Sequence, residues 1–363
     1  MRKFYNDTKL WEEMRTSDAD VKILLSDRNP GKSYAIKGEV LDHAVAGHPF
    51  IYLRRTDIAK KATTIEDWYA DFQIGDVTSD YDVVSYWQGK AYLGHMRDDG
   101  KKTRELFIGW ALYLSSESSY KSNAAYHAAG CEDIVYEEFV TDSLYLPNEP
   151  RLLESLISTV KRDGKVSTWL LGNSLSRVNP YFSGWGLRHV PRQEMGTTER
   201  YVHQIGNNAD AENCPEIKID VQIIPDLDGQ SSGWISYKKA KNTIWVTRDF
   251  PSLRKRKYEY VERHVVYLAV DMYRFRCSLF EDENEGLLFW YIEPFTKEIG
   301  PDARVISNRF ETIQDYQLGS VGWTPLIPEE AQAFQLLKNG HWIPCDNLTG
   351  EDFDAVLKNL KRL

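Results

Sequence analysis

An α/β fold in two parts, the larger a mostly parallel sheet served by a phosphate-binding loop, follows from three observations on the sequence. The chain has 363 residues, long for a single domain. In VKILLSDRNPGKSYAIK (Val21 to Lys37), a short apolar run of buried-strand type passes through a loop ending in Gly-Lys-Ser into a helical stretch. In GCEDIVYEEFV, a second apolar run, Ile134 to Tyr136, stops at two carboxylates, Glu137 and Glu138.

Taken in chain order, Val21 to Leu25 is the first strand and Tyr34 to Gly47 the helix behind it. Between them, Ser26 to Ser33 fits G-x-x-x-x-G-K-[ST] at Gly31, Lys32 and Ser33, and departs from it where Ser26 replaces the first glycine. Ser26, Asp27, Arg28, Asn29, Pro30, Gly31, Lys32 and Ser33 thus form a candidate nucleotide loop. Gly31 lets the backbone close on a phosphate oxygen, Lys32 reaches the β- and γ-phosphates, and Ser33 offers a hydroxyl to Mg²⁺. The positively polarised helix N-terminus faces the anion.

HPFIYLRR is a strand over Phe50 to Leu53 whose end aims Arg54 and Arg55 at the nucleotide or at a neighbour. Glu137 and Glu138 have the layout of a Walker B strand with an added acid: the first holds Mg²⁺ and the second polarises the attacking water. EPRLLESLISTVKRD places Leu152, Leu153, Leu156, Ile157 and Val160 on one helical face, with Arg162 pointing away from it. VSTWLLGNS is a further strand, and Asn173 at its end reads either as a γ-phosphate sensor or as a turn residue. EIKIDVQII alternates Ile217, Ile219, Val221 and Ile223 and is expected to close this sheet; PDLDGQSSG then has linker composition.

Composition narrows the function classes. Apolar residues make up 42% of the chain, with 11 Trp, 21 Tyr and 14 Phe, enough for sizeable cores. No run of eighteen apolar residues occurs and the first ten residues lack a signal-peptide pattern, so a soluble intracellular protein without membrane contact is expected. Cys131, Cys214, Cys277 and Cys345 form no C-x-x-C pair and point to neither a zinc site nor a disulfide framework. The net charge of −9 argues against indiscriminate coating of nucleic acid. Locally, RDFPSLRKRKYEYVERH gathers Arg254, Lys255, Arg256, Lys257 and Arg263, either a phosphate-contacting patch or a solvated face.

Towards the C-terminus, Val265 to Phe280, an Asp282 to Gly286 turn, and Leu287 to Phe295 read as a hairpin of an antiparallel meander.

The segments NPGKSYAIK, FIYLRR, YKSNAAY, IVYEEF, LPNE, TVKRD and NSLSRVNPYF, in this order, carry a resemblance. The sequence resembles the genome-packaging ATPases of small tailed bacteriophages with protein-primed linear genomes, relatives of the large terminase subunits that use a prohead RNA. The resemblance covers Ser26 to Phe182 and partly returns in the last hundred residues. It implies an ASCE-type P-loop ATPase domain at 1–227, a linker with the basic cluster at 228–262, and a smaller α/β ribonuclease-H-like domain, vestigial and nuclease-inactive, at 263–363. It also implies that Lys32 and Ser33 bind phosphate and Mg²⁺, that Glu137 stands where the family has Asp, and that Glu138 is the catalytic glutamate. Arg162 falls at an arginine finger acting on a neighbour's ATP, Lys121 at a lysine used between subunits, Arg28 at the loop arginine, and Arg54 at the first of the strand-end pair; Asn173 would couple hydrolysis to motion.

The function so implied is an ATP- and Mg²⁺-dependent motor that forms a homo-oligomeric ring, a pentamer by resemblance, and drives double-stranded DNA into a preformed prohead. Its expected partners are that DNA, the portal and a prohead RNA, and its expected place is the host cytoplasm, transiently docked on the prohead. Two other readings share these residues: a terminase with an active two-metal nuclease using Asp271, and a nucleotide-binding assembly module without turnover.

Overall fold

The computed structural model describes residues 8–26, 31–56, 65–116, 124–141, 145–162, 164–173, 177–204, 216–225, 249–297, 303–307, 317–321, 324–325 and 331–360. The chain divides into two compact units, Met1–Ser174 with Pro180–Ser236, and Leu175–Asn179 with Tyr237–Leu363. Of the span 228–262 expected as a linker, residues 228–248 lie outside the described residues, and the rest groups with the second unit.

The first unit is built on nine strands: β1 (Val21–Ser26), β2 (Phe50–Arg54), β3 (Val83–Trp87), β4 (Lys90–Gly94), β5 (Leu106–Tyr113), β6 (Asp133–Glu137), β7 (Ser167–Asn173), β8 (Thr197–Gln204) and β9 (Glu216–Ile223). Its helices are α1 (Thr8–Thr16), α2 (Lys32–Val45), α3 (Ile65–Tyr69), α4 (Ala125–Ala128), α5 (Glu149–Lys161) and α6 (Pro180–Gly184). The sheet order is β3-β4-β5-β2-β6-β7-β1-β9-β8. Strands β5, β2, β6, β7, β1 and β9 run parallel, with antiparallel β3 and β4 on one edge and β8 on the other.

All six residues of β1 are buried, as expected for a strand covered on both faces. Helix α2 buries Ile36, Val40, Leu41 and Ala44, spaced to make one apolar stripe, against a core that includes Leu24, Phe50, Val135 and Trp169. It begins at Lys32, one turn fraction earlier than the apolar pattern indicated.

Strand β9 does not close the sheet. It pairs in parallel with β1 and carries β8 antiparallel on its outer side. The alternation in β8 is weak, with Val202 56% exposed, so the edge strand has little apolar signature.

Parallel pairing brings the carboxyl ends of three strands side by side. Ser26 of β1 lies opposite Asn173 of β7, and Glu137 of β6 opposite Leu171. Crevices at such strand ends are where open α/β sheets bind ligands. Gly172 permits the chain after β6 to pack close: a Cβ there would lie 2.6 Å from Phe139 and 2.8 Å from Val140.

The second unit contains β10 (Val261–Val270), β11 (Tyr273–Asp282), β12 (Leu287–Pro294), β13 (Arg304–Ser307), β14 (Gln317–Val321), β15 (Thr324–Pro325) and β16 (Trp342–Pro344), with helices α7 (Ala331–Lys338) and α8 (Asn347–Leu360). Strands β10, β11 and β12 form an antiparallel meander; β13 adds in parallel beyond β10 and β14 in parallel beyond β13. The resulting order is β12-β11-β10-β13-β14, a mixed sheet. Its core joins Val266, Leu268, Cys277, Trp290 and Ile292 of the sheet to Phe353, Val356 and Leu357 of α8, and takes in Val178. Arg177 pairs with Asp352 and its carbonyl accepts from the Tyr273 hydroxyl at 2.6 Å.

Val265 to Phe280 is not one strand of a hairpin but a hairpin itself. Val270 pairs with Tyr273, and Asp271, with φ 51, opens the two-residue turn between them. Aspartate tolerates this left-handed backbone better than most residues, and the long apolar run hid the turn. Asp271 therefore lies at a turn rather than on the first strand.

The basic cluster is laced to acids of the same sheet. Lys255 meets Asp282 at 2.6 Å, Lys257 meets Glu293 at 2.6 Å, and Arg263 meets Glu281 at 2.5 Å and Glu283 at 3.1 Å. Among the described residues no helix is long and apolar enough to cross a membrane.

Candidate nucleotide-binding site

Gly31 has φ 86 and ψ 12, a left-handed conformation that a side chain would strain, and it hands the chain directly to α2. No side chain caps the start of α2, whose first amides are those a helix leaves without intrahelical partners. Lys32 is folded inward at 7% exposure, its Nζ donating to Ser26 Oγ at 2.9 Å and to Asn173 Oδ1 at 2.8 Å. Burial pushes its pKa down to about 8, against the pull of the Glu137 charge. The residue in the position of the missing glycine is therefore a partner of the loop lysine, and Asn173, at the end of β7, is its second partner.

Ser33 donates its hydroxyl to Glu137 Oε1 at 2.8 Å, and Trp68 of α3 donates its indole N–H to Glu137 Oε2, also at 2.8 Å. Burial raises the Glu137 pKa, and these two donors oppose the shift. A hydroxyl beside one carboxylate, with phosphate oxygens and water completing the shell, is the kind of oxygen set Mg²⁺ takes, so the residues present fit the ion. Trp68 escaped the sequence reading. It lies 69 positions from Glu137, and nothing in IEDWY signals a site.

Glu138 follows at φ 55, a backbone state costing a non-glycine residue about 1–3 kcal/mol and found mostly where function over-determines it. Its side chain is 60% exposed, and Arg54 Nη2 donates to its Oε2 at 2.7 Å. Arg54, expected at the nucleotide, pairs with the second glutamate. Arg55 donates to Glu149 and to the carbonyls of Glu138 and Phe139.

Helix α5 runs from the carboxyl end of β6 back towards the start of β7, so its last residue lies on the order of 20 Å from its first at 1.5 Å per residue. Arg162 caps that far end with φ 38, exposed, its backbone N–H on Ser158 O at 3.3 Å. Among the described residues its side chain has no hydrogen bond or ion pair. Asp27, Arg28, Asn29, Pro30 and Lys121 lie outside the described residues.

Residues 2–213 match the family model of the podovirus DNA encapsidation protein (Gp16), more than half of the chain. The chain belongs to the podovirus DNA encapsidation protein family. The DNA packaging proteins of Bacillus phages PZA and phi29 are each 30% identical to it over 245 residues, 61% of this chain and 67% of theirs. A chain of the phi29 viral genome packaging motor assembly matches 99% of this chain and 99% of its own length at 20% identity, with TM-score 0.54. At that identity the likeness establishes a shared fold across both units. In this chain Lys32, Ser33 and the two-glutamate end of β6 lie together at the carboxyl ends of the central strands β6, β7 and β1.

Proposed function

We propose that this encapsidation protein hydrolyses ATP in a homo-oligomeric ring and uses the energy to drive double-stranded viral DNA into a preformed prohead. The observation that carries the reading is the Lys32–Ser33–Glu137–Glu138 constellation: an anchored loop lysine, a hydroxyl beside a buried carboxylate, and a second, exposed carboxylate next in sequence. ATP would bind against the α2 N-terminus, with Lys32 exchanging Ser26 and Asn173 for phosphate oxygens. Ser33 and Glu137 would hold Mg²⁺, Trp68 fixing the carboxylate from behind. Magnesium, when bound, supplies charge neutralisation on the phosphates. Glu138 orients a water and accepts its proton.

Arg162, far along α5 from its own loop and without a partner among the described residues, suits a guanidinium that stabilises phosphoryl-transfer charge in the next subunit. A ring follows from that role, a pentamer by likeness to the family, docked on a portal with its prohead RNA in the host cytoplasm. DNA would be gripped through its phosphates with little sequence preference.

The second unit we read as nuclease-inactive. Asp271 is in a turn, and Lys257 holds Glu293.

Phosphate release by the purified protein, with and without double-stranded DNA, tests the proposal. Mg²⁺-dependent release stimulated by DNA is expected. Nucleotide that binds tightly and is never hydrolysed would instead indicate an assembly module.

A further inference from the structure

Four of the segments noted in the sequence, FIYLRR, IVYEEF, LPNE and NPYF, converge on one side chain to which the reaction assigns no role. Glu149, the first residue of α5, is 0% exposed. Its Oε1 accepts from Tyr136 at 2.7 Å and Tyr181 at 3.0 Å, and its Oε2 from the Leu146 amide at 2.8 Å. Arg55 Nε lies 3.1 Å and 2.9 Å from the two oxygens. The other nitrogens of the same guanidinium run the opposite way: Nη1 donates to Glu138 O at 3.2 Å and Nη2 to Phe139 O at 2.6 Å, while Tyr145 stacks its ring 4.9 Å from the guanidinium carbon.

We propose that Arg55, anchored on Glu149, is a positioning residue that holds the Glu138 backbone in its left-handed conformation. A buried carboxylate without a counter-ion is costly, so Glu149 fixes the guanidinium, and a planar fork can then present its remaining donors to two successive carbonyls. Those carbonyls belong to Glu138 and the residue after it, so Arg55 sets where the Glu138 carboxylate starts from. Because Glu149 also opens α5, the same pair ties Glu138 to the helix that ends at Arg162.

This inference rests on the reading of Glu138 as the residue that activates water. Arg55→Lys keeps the charge but cannot serve a carboxylate and two carbonyls from one point. It is expected to lower kcat by roughly 10- to 100-fold, the scale of a misplaced catalytic group, with KM for ATP within about twofold of wild type. Placed on Glu138→Gln it should cause no further loss, because its effect passes through Glu138. An additive loss in the double variant, a rise in KM without a fall in kcat, or an unchanged kcat each overturns the proposal. Should Arg55→Lys fail to fold, Tyr181→Phe, which takes one donor from Glu149, is read in its place: a several-fold fall in kcat, again absent on Glu138→Gln, is expected, and unchanged kcat overturns the proposal. If Glu138→Gln alone hydrolyses normally, the catalytic reading has failed rather than the positioning.

Discussion

Glu138→Gln protein is expected to bind ATP normally and to hydrolyse it at least about a hundredfold more slowly, since a well-placed general base contributes roughly 10²–10⁴. The substitution is close to isosteric. Its amide oxygen can still accept from Arg54, which now meets Glu138 at 2.7 Å, and the backbone contacts from Arg55 do not involve the side chain. The loss would therefore report the missing basicity and not a rearranged site. Equilibrium binding of a fluorescent ATP analogue and steady-state phosphate release separate the two quantities. Near-normal turnover would remove Glu138 from the catalytic role.

Lys32→Ala is expected to weaken nucleotide binding itself, by one to two orders of magnitude or more, because a hydrogen bond to a charged group contributes about 1.5–3 kcal/mol and Lys32 would make several. Its fold should survive. The lysine is buried beside Ser26 and Asn173 and its pKa is pushed down to about 8 by that burial, so the charge is held at a cost in the absence of phosphate. Thermal stability without nucleotide should thus stay near wild type while the stabilisation that ATP confers disappears. Retained tight binding would contradict the loop assignment.

The parts of this site legible in the sequence are those written locally. β1, the Gly-Lys-Ser turn, α2 and the Ile134 to Glu138 run each announce themselves through apolar periodicity and a polar stop within a few residues. What the sequence hid depends on partners far along the chain. Trp68 reaches Glu137 across 69 positions, and Arg55 reaches Glu149 across 94. Glu149 itself reads as an acid in the first turn of a helix, where charge is ordinarily solvated, and only the fold surrounds it with Arg55, Tyr136 and Tyr181. Strand order was equally non-local: nothing in Glu216 to Ile223 says that β8, earlier in sequence, will lie outside it. In the second unit the two-residue turn at Asp271 was masked because apolar residues continue on both sides.

If catalysis is shared between neighbouring subunits, mixing two inactive variants restores it. Arg162→Ala subunits retain their own Lys32, Ser33 and Glu138 but present no guanidinium to the next site; Glu138→Gln subunits retain Arg162 but lack the carboxylate. Each preparation alone is expected to hydrolyse ATP poorly. In mixed rings, an Arg162→Ala site facing a Glu138→Gln neighbour has both groups. Recovered phosphate release should then follow the product of the two fractions, peak near equal mixing, and vanish on dilution below the assembly concentration. If cross-linking demonstrates mixed rings and no ratio restores hydrolysis, Arg162 does not act on the neighbouring site.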